Sequence, residues 1–329
     1  MPKVSVIVCT YNQEHTIARS LESILAQKTD FPYEIILADD CSADSTPEIC
    51  ADYARRYPDI IRPLLNKRNK GVVDNYFDCV EACRGEYIAD LAGDDVWTDP
   101  DKLAKQASIM DADSDIVLCH AGWQPVYPDG SPADPSIWSI PSTARVSRPG
   151  ELTLSLLRHE KKKYFIHLCS AMYRRDVINA LMQKHPSLFR DKSLTCEDLQ
   201  INVLLSHAGK IAYIPDRVLN YTVGAPSVSS SENPVKTIRF YSGVITLTNR
   251  LAKALGIDNS QLKGYYADVM QYIIMQYFVN LSVEGRQLVT DLLSQESVPL
   301  SLKNRITLLL GSNHTIWHLT AKLRRLIKG

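Results

Sequence analysis

The sequence predicts an α/β fold: an open, mostly parallel sheet flanked by helices and followed by a helical C-terminal region. Three observations carry that expectation. Apolar strand-like runs alternate with helical periodicity four times in the first hundred residues. The first two of those runs read as strands covered on both faces, the pattern of parallel sheets. From about residue 235 onward only helical periodicity remains.

The first strand is Val4 to Cys9 (VSVIVC), ending in the polar Thr10-Tyr11-Asn12. Ile17, Leu21, Ile24 and Leu25 then share one helical face. Tyr33 to Ala38 forms a second strand and stops at Asp39-Asp40. Ser45 or Thr46 with Pro47 reads as the cap and first turn of a helix. A third strand spans Ile60 to Leu65, breaks at Asn69-Lys70-Gly71, and leads to a helix ending near Cys83. A fourth, Glu86 to Leu91, stops at Gly93-Asp94-Asp95. In open α/β sheets ligands bind beyond the carboxyl ends of the strands. That topology draws Tyr11/Asn12, Asp39/Asp40 and Asp94/Asp95 to one edge.

Beyond Pro100 the expected elements are a helix to about Met110, a strand Asp115 to Cys119, and Pro- and Ser-rich sequence from Pro125 to Pro149. A strand from Leu168 to Tyr173, a helix from Asp176, a helix Glu197 to His207 and a strand Lys210 to Val223 with a turn at Pro215-Asp216 follow. A boundary is expected near residues 224–234, where Gly224, Pro226, Pro234 and four serines cluster. It separates a catalytic region, 1–230 (donor half 1–112, acceptor half 113–230), from a helical region, 231–329.

The bulk numbers exclude several classes. The 329 residues, 45% of them hydrophobic, suffice for a large core. A net charge of zero gives no electrostatic pull on nucleic acid. The chain enters a strand at once, so no signal peptide is expected, and no apolar run reaches the roughly 18 residues of a spanning helix. The eight cysteines form no C-x-x-C pair and read as reduced thiols of a cytoplasmic protein. The first strand–helix turn, CTYNQEHT, lacks G-x-G-x-x-G, and neither a P-loop nor a G-x-S-x-G elbow occurs. A sugar nucleotidyltransferase would need a Gly-rich basic turn where Thr10-Tyr11-Asn12-Gln13 stands.

Two adjacent carboxylates at a strand end repel unless a cation or donors lie between them. Asp94-Asp95 therefore reads either as oxygen ligands for Mg²⁺ or Mn²⁺ beside a diphosphate or as a capped turn. Asp39-Asp40 can accept hydrogen bonds from a base or ribose, or cap the next helix. Glu197-Asp198 can cap the helix that it opens or supply a general base.

The ordered set VSVIVCTYN, YEIILADDCSADST, NKG, GEYIADLAGDDVWTDPDKL, CSAMYRR and CEDLQINVLLSHAGKIAYI resembles glycosyltransferase family 2, which has the GT-A fold. The resemblance covers residues 1 to about 230. It implies inverting transfer from a nucleotide-diphosphate sugar, most often a UDP-sugar, with Mn²⁺ or Mg²⁺. It implies that Thr10, Tyr11 and Asn12 surround the base and ribose, that Asp40 reads the base beside Asp39, and that Asn69 and Gly71 form a donor-side turn. Asp94 and Asp95 match the end of the metal motif, with Asp95 the direct ligand. Asp198 matches the catalytic base, with Glu197, Cys169 and Ser170 on the acceptor side. The acceptor is a glycan or a lipid-linked glycan.

Two positions depart from the family. Ala92 fills the first acidic slot of the metal motif, and Tyr221-Thr222-Val223-Gly224 lacks a His found in many relatives. Both also fit a catalytically silent nucleotide-sugar-binding protein. Residues 301–329 carry six Lys or Arg and no acid, leaving 31 basic against 37 acidic residues elsewhere. There Ile316, Leu319, Leu323 and Leu326 share a helical face beside Trp317. Such a basic amphipathic helix packs on its own domain, seats a second copy, or lies on the anionic inner face of a plasma membrane.

Overall fold

The computed structural model describes residues 1–136, 138, 140–162, 165–191, 193–224, 233–280, 283–296, 298–311, 315–316 and 319. The chain divides into two compact units. One comprises Met1–Lys192 with Cys196–Ala225, the other Ser193–Thr195 with Pro226–Gly329.

In the first unit, β1 (Val4–Thr10), β2 (Tyr33–Asp39), β3 (Ile61–Leu65) and β4 (Tyr87–Ala92) alternate with α1 (Ile17–Leu25), α2 (Thr46–Arg56) and α3 (Val72–Ala82). They pair in parallel in the order β3-β2-β1-β4. Val4, Val6, Val8, Ile35 and Leu37 are fully buried and join Ile17, Leu21 and Ile24 of α1 in one core. Burial of each such side chain stabilises the fold by about 1.5–3 kcal/mol.

The sheet continues through β8 (Met172–Arg174), β6 (Ile116–Val126), β9 (Lys210–Thr222) and β5 (Val96–Trp97), with β7 (Arg145–Ser147) paired to β9. Four strand pairings are parallel and four antiparallel: the first half of the sheet is wholly parallel, and in the second half β6 and β9 pair in parallel while the rest pair antiparallel. Helices α4 (Lys102–Ala112), α5 (Thr153–Leu157), α6 (Arg175–Lys184) and α7 (Asp198–Ala208) complete the unit.

Three expectations need correction. The strand expected over Leu168 to Tyr173 is a 3-10 turn, Leu168–Ser170, followed by the three-residue β8. The Ser170 hydroxyl donates to the His167 carbonyl at 2.8 Å and reinforces that turn, a local bond that competes with extended pairing. The strand expected to stop at Cys119 runs to Val126 along β9. The turn expected at Pro215-Asp216 is a shift of register inside β9, where Ile214 pairs with Ala121 and Arg217 with Gly122.

The second unit contains α8 (Pro234–Ala254), α9 (Lys263–Asn280), α10 (Val283–Gln295) and α11 (Leu302–Gly311). Asn233 caps α8 by accepting from the amides of Val235 and Lys236. Asn304 of α11 is buried and donates to the Ala267 carbonyl of α9 at 3.2 Å. Among the described residues no helix is long and apolar enough to cross a membrane. Trp317, Leu323 and Leu326 of the expected C-terminal helix lie outside the described residues.

Candidate active site

The loops after β1 and β2 are laced together. The Asn12 amide donates to Ser42 Oγ at 2.8 Å, and Asn12 Oδ1 accepts from the Ala43 amide at 2.9 Å. The Gln13 amide donates to Thr46 Oγ1 and the Glu14 amide to Asp44. Asn12 reaches this position with φ of 52°, a conformation that asparagine tolerates. Tyr11 is half exposed above these loops, whereas Thr10 is buried with its hydroxyl on Gln13 Oε1. This lacing fixes a rigid wall beyond the strand ends.

Asp39 and Asp40 are both buried in that wall. Asp39 accepts from the amide and hydroxyl of Ser42. Asp40 accepts from the amides of Lys70 and Gly71, both at 2.9 Å, and from Asn66 Nδ2 at 3.1 Å. Asn69 returns a bond to the Asp40 carbonyl at 3.0 Å. Asp40 therefore holds the Asn69–Gly71 turn against β2; Oδ1 takes two of these bonds, and Oδ2, with one, keeps acceptor capacity. Gly71 stands at φ of 85°, which excludes most side chains there.

The β4 end is packed more tightly. A Cβ on Gly93 would lie 2.4 Å from Gln13 Oε1 and 2.8 Å from Thr10 Oγ1, so β4 can approach β1 this closely only with glycine. The next residue, Asp94, is partly exposed. Burial raises its proton affinity, and the Gln13 amide and the Arg19 charge oppose that rise. Asp95 is 1% exposed. Its Oδ1 accepts from the Thr222 amide at 2.9 Å, while Oδ2 is buried without a hydrogen-bond partner. The Cys169 thiol lies beside this carboxylate without closing a bond on Oδ2. Burial and the neighbouring Asp94 charge push the Asp95 carboxyl well above its usual range.

A buried carboxylate oxygen facing a second acid with no donor is a high-energy arrangement that a cation relieves. Among the described residues no group of three or more His, Cys, Asp or Glu is placed to hold a metal. Asp94 and Asp95 thus fit a divalent cation whose other ligands come from elsewhere, as phosphate oxygens and water do for Mg²⁺.

The residues expected on the acceptor side are partly brought near these acids. Glu197 and Asp198 open α7, and Asp198 keeps solvent-exposed surface. Surrounding protein nevertheless raises both carboxyls, and the Asp198 charge adds to the rise at Glu197. Asp198 is therefore both reachable from solvent and desolvated by the protein around it. Cys169 shares this character. Its carbonyl accepts from Trp97 Nε1 at 2.9 Å. Ser170 does not belong here: it is fully buried, and its hydroxyl is committed to the turn.

The structure adds residues that the sequence reading missed. Arg19 of α1 donates to the Asp94 carbonyl at 3.1 Å. Thr222, in the segment that lacks the expected His, anchors Asp95 by its amide and Asp94 by its hydroxyl at 2.6 Å. Tyr221, raised chiefly by burial, also lies within electrostatic reach of Asp95, Asp94 and Asp198. Only Arg19 and Tyr221 carry a local signal, a cation and an aromatic among loop acids.

Comparison with known proteins agrees with this geometry. The family model described as "Glycosyl transferase family 2" matches residues 5–182. An uncharacterized protein of Mycobacterium tuberculosis is 44% identical over 128 residues, 39% of this chain and 37% of that protein. The match therefore spans little more than a third of that relative's length. Staphylococcus aureus TarS 1–349 in complex with UDP-GlcNAc superimposes with a TM-score of 0.60 at 18% identity, covering 89% of this chain and 80% of that one. The mannosyltransferase PcManGT from Pyrobaculum calidifontis, in complex with GDP-Man and Mn²⁺, gives a TM-score of 0.50 at 16% identity, covering 97% and 86%. With a family match that takes in both acid-bearing strand ends and more than half of the residues, the chain belongs to glycosyl transferase family 2.

Proposed function

We propose that this chain is an inverting glycosyltransferase. It moves a sugar from a nucleotide-diphosphate sugar, a UDP-sugar in the first instance, to a hydroxyl of a glycan or lipid-linked acceptor in cell-surface polysaccharide synthesis. The observation that carries the reading is the orphaned, buried Oδ2 of Asp95 at a strand end, with Asp94 beside it and Tyr221 within electrostatic reach of both and of Asp198.

Asp95, with Asp94, would hold Mn²⁺ or Mg²⁺ together with the donor diphosphate. When bound, that cation supplies Lewis-acid stabilisation of charge building on the leaving group. The acceptor oxygen attacks the anomeric carbon, the bond from that carbon to the diphosphate breaks, and its electron pair leaves with the nucleotide. Asp198 takes the acceptor's proton. One displacement inverts the anomeric centre, so an α-linked donor gives a β-linked product. Arg19 and Thr222 hold the Asp94-Asp95 turn by donating to the Asp94 carbonyl, and the Thr222 amide donates to the Asp95 carboxylate. The laced loops, with Thr10, Tyr11, Asn12, Asp39 and Asp40, bound the nucleoside side, and the Asn69–Gly71 turn closes it.

Nucleotide release from a panel of UDP- and GDP-sugars tests this reading. A transferase of this type releases nucleotide from one donor, slowly to water, only with Mn²⁺ or Mg²⁺ present. No release from any donor under any metal favours a silent binding protein.

A lipid-linked acceptor would require the enzyme to work at a membrane, and α11 supports that reading. Leu302 and Ile306 are 75% and 49% exposed, Leu309 is also exposed, and Lys303 and Arg305 stand beside them. An exposed apolar stripe rimmed by cations suits an anionic interface. The full chain is expected to sediment with phosphatidylglycerol vesicles at low salt. Release is expected with rising salt or with Leu302, Ile306 and Leu309 changed to Asn. Wild-type chain that stays in the supernatant at low salt rules this contact out.

A further inference from the structure

Beside Asp198 lies an aromatic cluster that the donor chemistry does not use. The Trp123 ring, buried on β6, lies 5.1 Å from Trp138, 5.8 Å from Phe165, 5.0 Å from His167 and 5.7 Å from Tyr221. His167 packs edge-on against Tyr221 at 4.2 Å. Trp123 is sealed in the core, whereas Trp138, Phe165 and Tyr221 keep partial exposure.

Three links bring this cluster close to the carboxylates of the site. The Tyr221 phenol is within electrostatic reach of Asp95, Asp94 and Asp198. The Lys161 ammonium stands 5.8 Å over the Phe165 ring, and its charge acts on Asp198. Asn202 of α7 donates to the Ile166 carbonyl at 3.3 Å, tying the segment that carries Phe165 and His167 to the helix that Asp198 opens.

Two polar atoms in the cluster are buried without a hydrogen-bond partner: Nδ1 of His167, a residue 9% exposed, and Nε1 of Trp138. Such orphans are rare in folded proteins. A hydrocarbon chain laid on these rings would bury apolar surface and leave both atoms unpaired. A pyranose ring answers both features. Its C–H-rich face packs on the electron-rich faces of aromatic rings, and its hydroxyls both donate and accept.

We propose that Trp138, Phe165, His167 and Tyr221 form an acceptor subsite that binds a pyranose ring by its apolar face, with the attacking hydroxyl turned toward Asp198. The proposal rests on the transferase reading and narrows its acceptor to a sugar ring rather than a lipid or a peptide hydroxyl. Burial lowers His167 to about 3, so the imidazole meets the sugar neutral, with one nitrogen that accepts and one that donates.

Tryptophan fluorescence of the full chain tests the subsite, with methyl β-D-glucopyranoside and methyl β-D-galactopyranoside as probes and D-glucitol and 1-octanol as controls. At least one glycoside is expected to shift the emission to saturation, while glucitol and octanol leave it unchanged. Phe165→Ala and His167→Ala are expected to raise the half-saturation concentration about tenfold or more. Trp138→Phe, which keeps a ring, is expected to retain most of the affinity. UDP binding by calorimetry accompanies every variant. The proposal is overturned if neither glycoside binds, if octanol binds as the glycosides do, or if the alanine variants bind like wild type. Loss of glycoside and UDP binding together would also overturn it, because the rings would then be plain core. Wild-type chain that binds a glycoside but releases no nucleotide from any donor refutes the transferase reading and leaves the subsite standing.

Discussion

Asp198→Asn is expected to lower the transfer rate by roughly 10²–10⁴-fold, the range for loss of a positioned general base, while UDP still binds. Asparagine keeps the shape of the side chain and its place at the start of α7, but it cannot take the acceptor's proton. The pH dependence follows from the protein packed around this carboxyl. Burial makes the Asp198 carboxyl hold its proton more tightly than an ordinary aspartate, and only the ionised form is a base. The rate therefore rises with pH through an interval above the usual carboxylate range and then levels. Glu197 is raised by the same burial and by its neighbour's charge, so the two titrate as a pair. Turnover against pH, measured on wild type and Asp198→Asn, checks both points. Wild-type turnover in the variant at neutral pH would remove Asp198 from the mechanism.

The first half of the sheet was legible because β1, β2 and β4 are covered on both faces. Val4 to Cys9 and Tyr33 to Ala38 read as mainly apolar runs, and their parallel pairing brings Thr10, Asp39 and the Gly93 turn to one edge. The second half was less so. The far part of β6, His120 to Val126, carries Gly122, Gln124 and Pro125, and its strand character comes from pairing with β9 about 95 residues later. The 3-10 turn at Leu168–Ser170 is closed by backbone bonds and reinforced by the bond of the Ser170 hydroxyl, which no periodicity signals. That bond also removes Ser170 from the site, although its neighbour Cys169 reaches it.

Within the site, the acids were visible as pairs at strand ends, but their partners were not. Thr222 meets Asp95 from 127 residues away, and Arg19 meets Asp94 from 75. Such contacts exist only after β5 has paired with β9. Asp40 carries an additional duty for the same reason: the turn that it holds lies some 30 residues downstream. The aromatic cluster draws on β6, the segment around Phe165 and the end of β9, and it too becomes a unit only in the fold.

Asp95→Ala is expected to abolish metal-dependent binding of the donor. Removing a charge clamp on a transferring diphosphate costs about 10²–10³-fold in rate, the scale of one lost electrostatic stabiliser. Ala92 stands in the first acidic slot, and Thr222 already occupies Asp95 Oδ1. The protein then offers the cation little beyond Asp95 Oδ2 and Asp94, so cation and diphosphate should bind as a unit, each supplying what the other lacks. Calorimetry of wild-type protein titrated with MnCl₂ alone, with UDP alone, and with UDP in the presence of MnCl₂ tests this most directly. Weak binding is expected in the first two titrations and much tighter binding in the third, which Asp95→Ala loses. Tight Mn²⁺ binding without nucleotide, or UDP affinity indifferent to Mn²⁺, would contradict it.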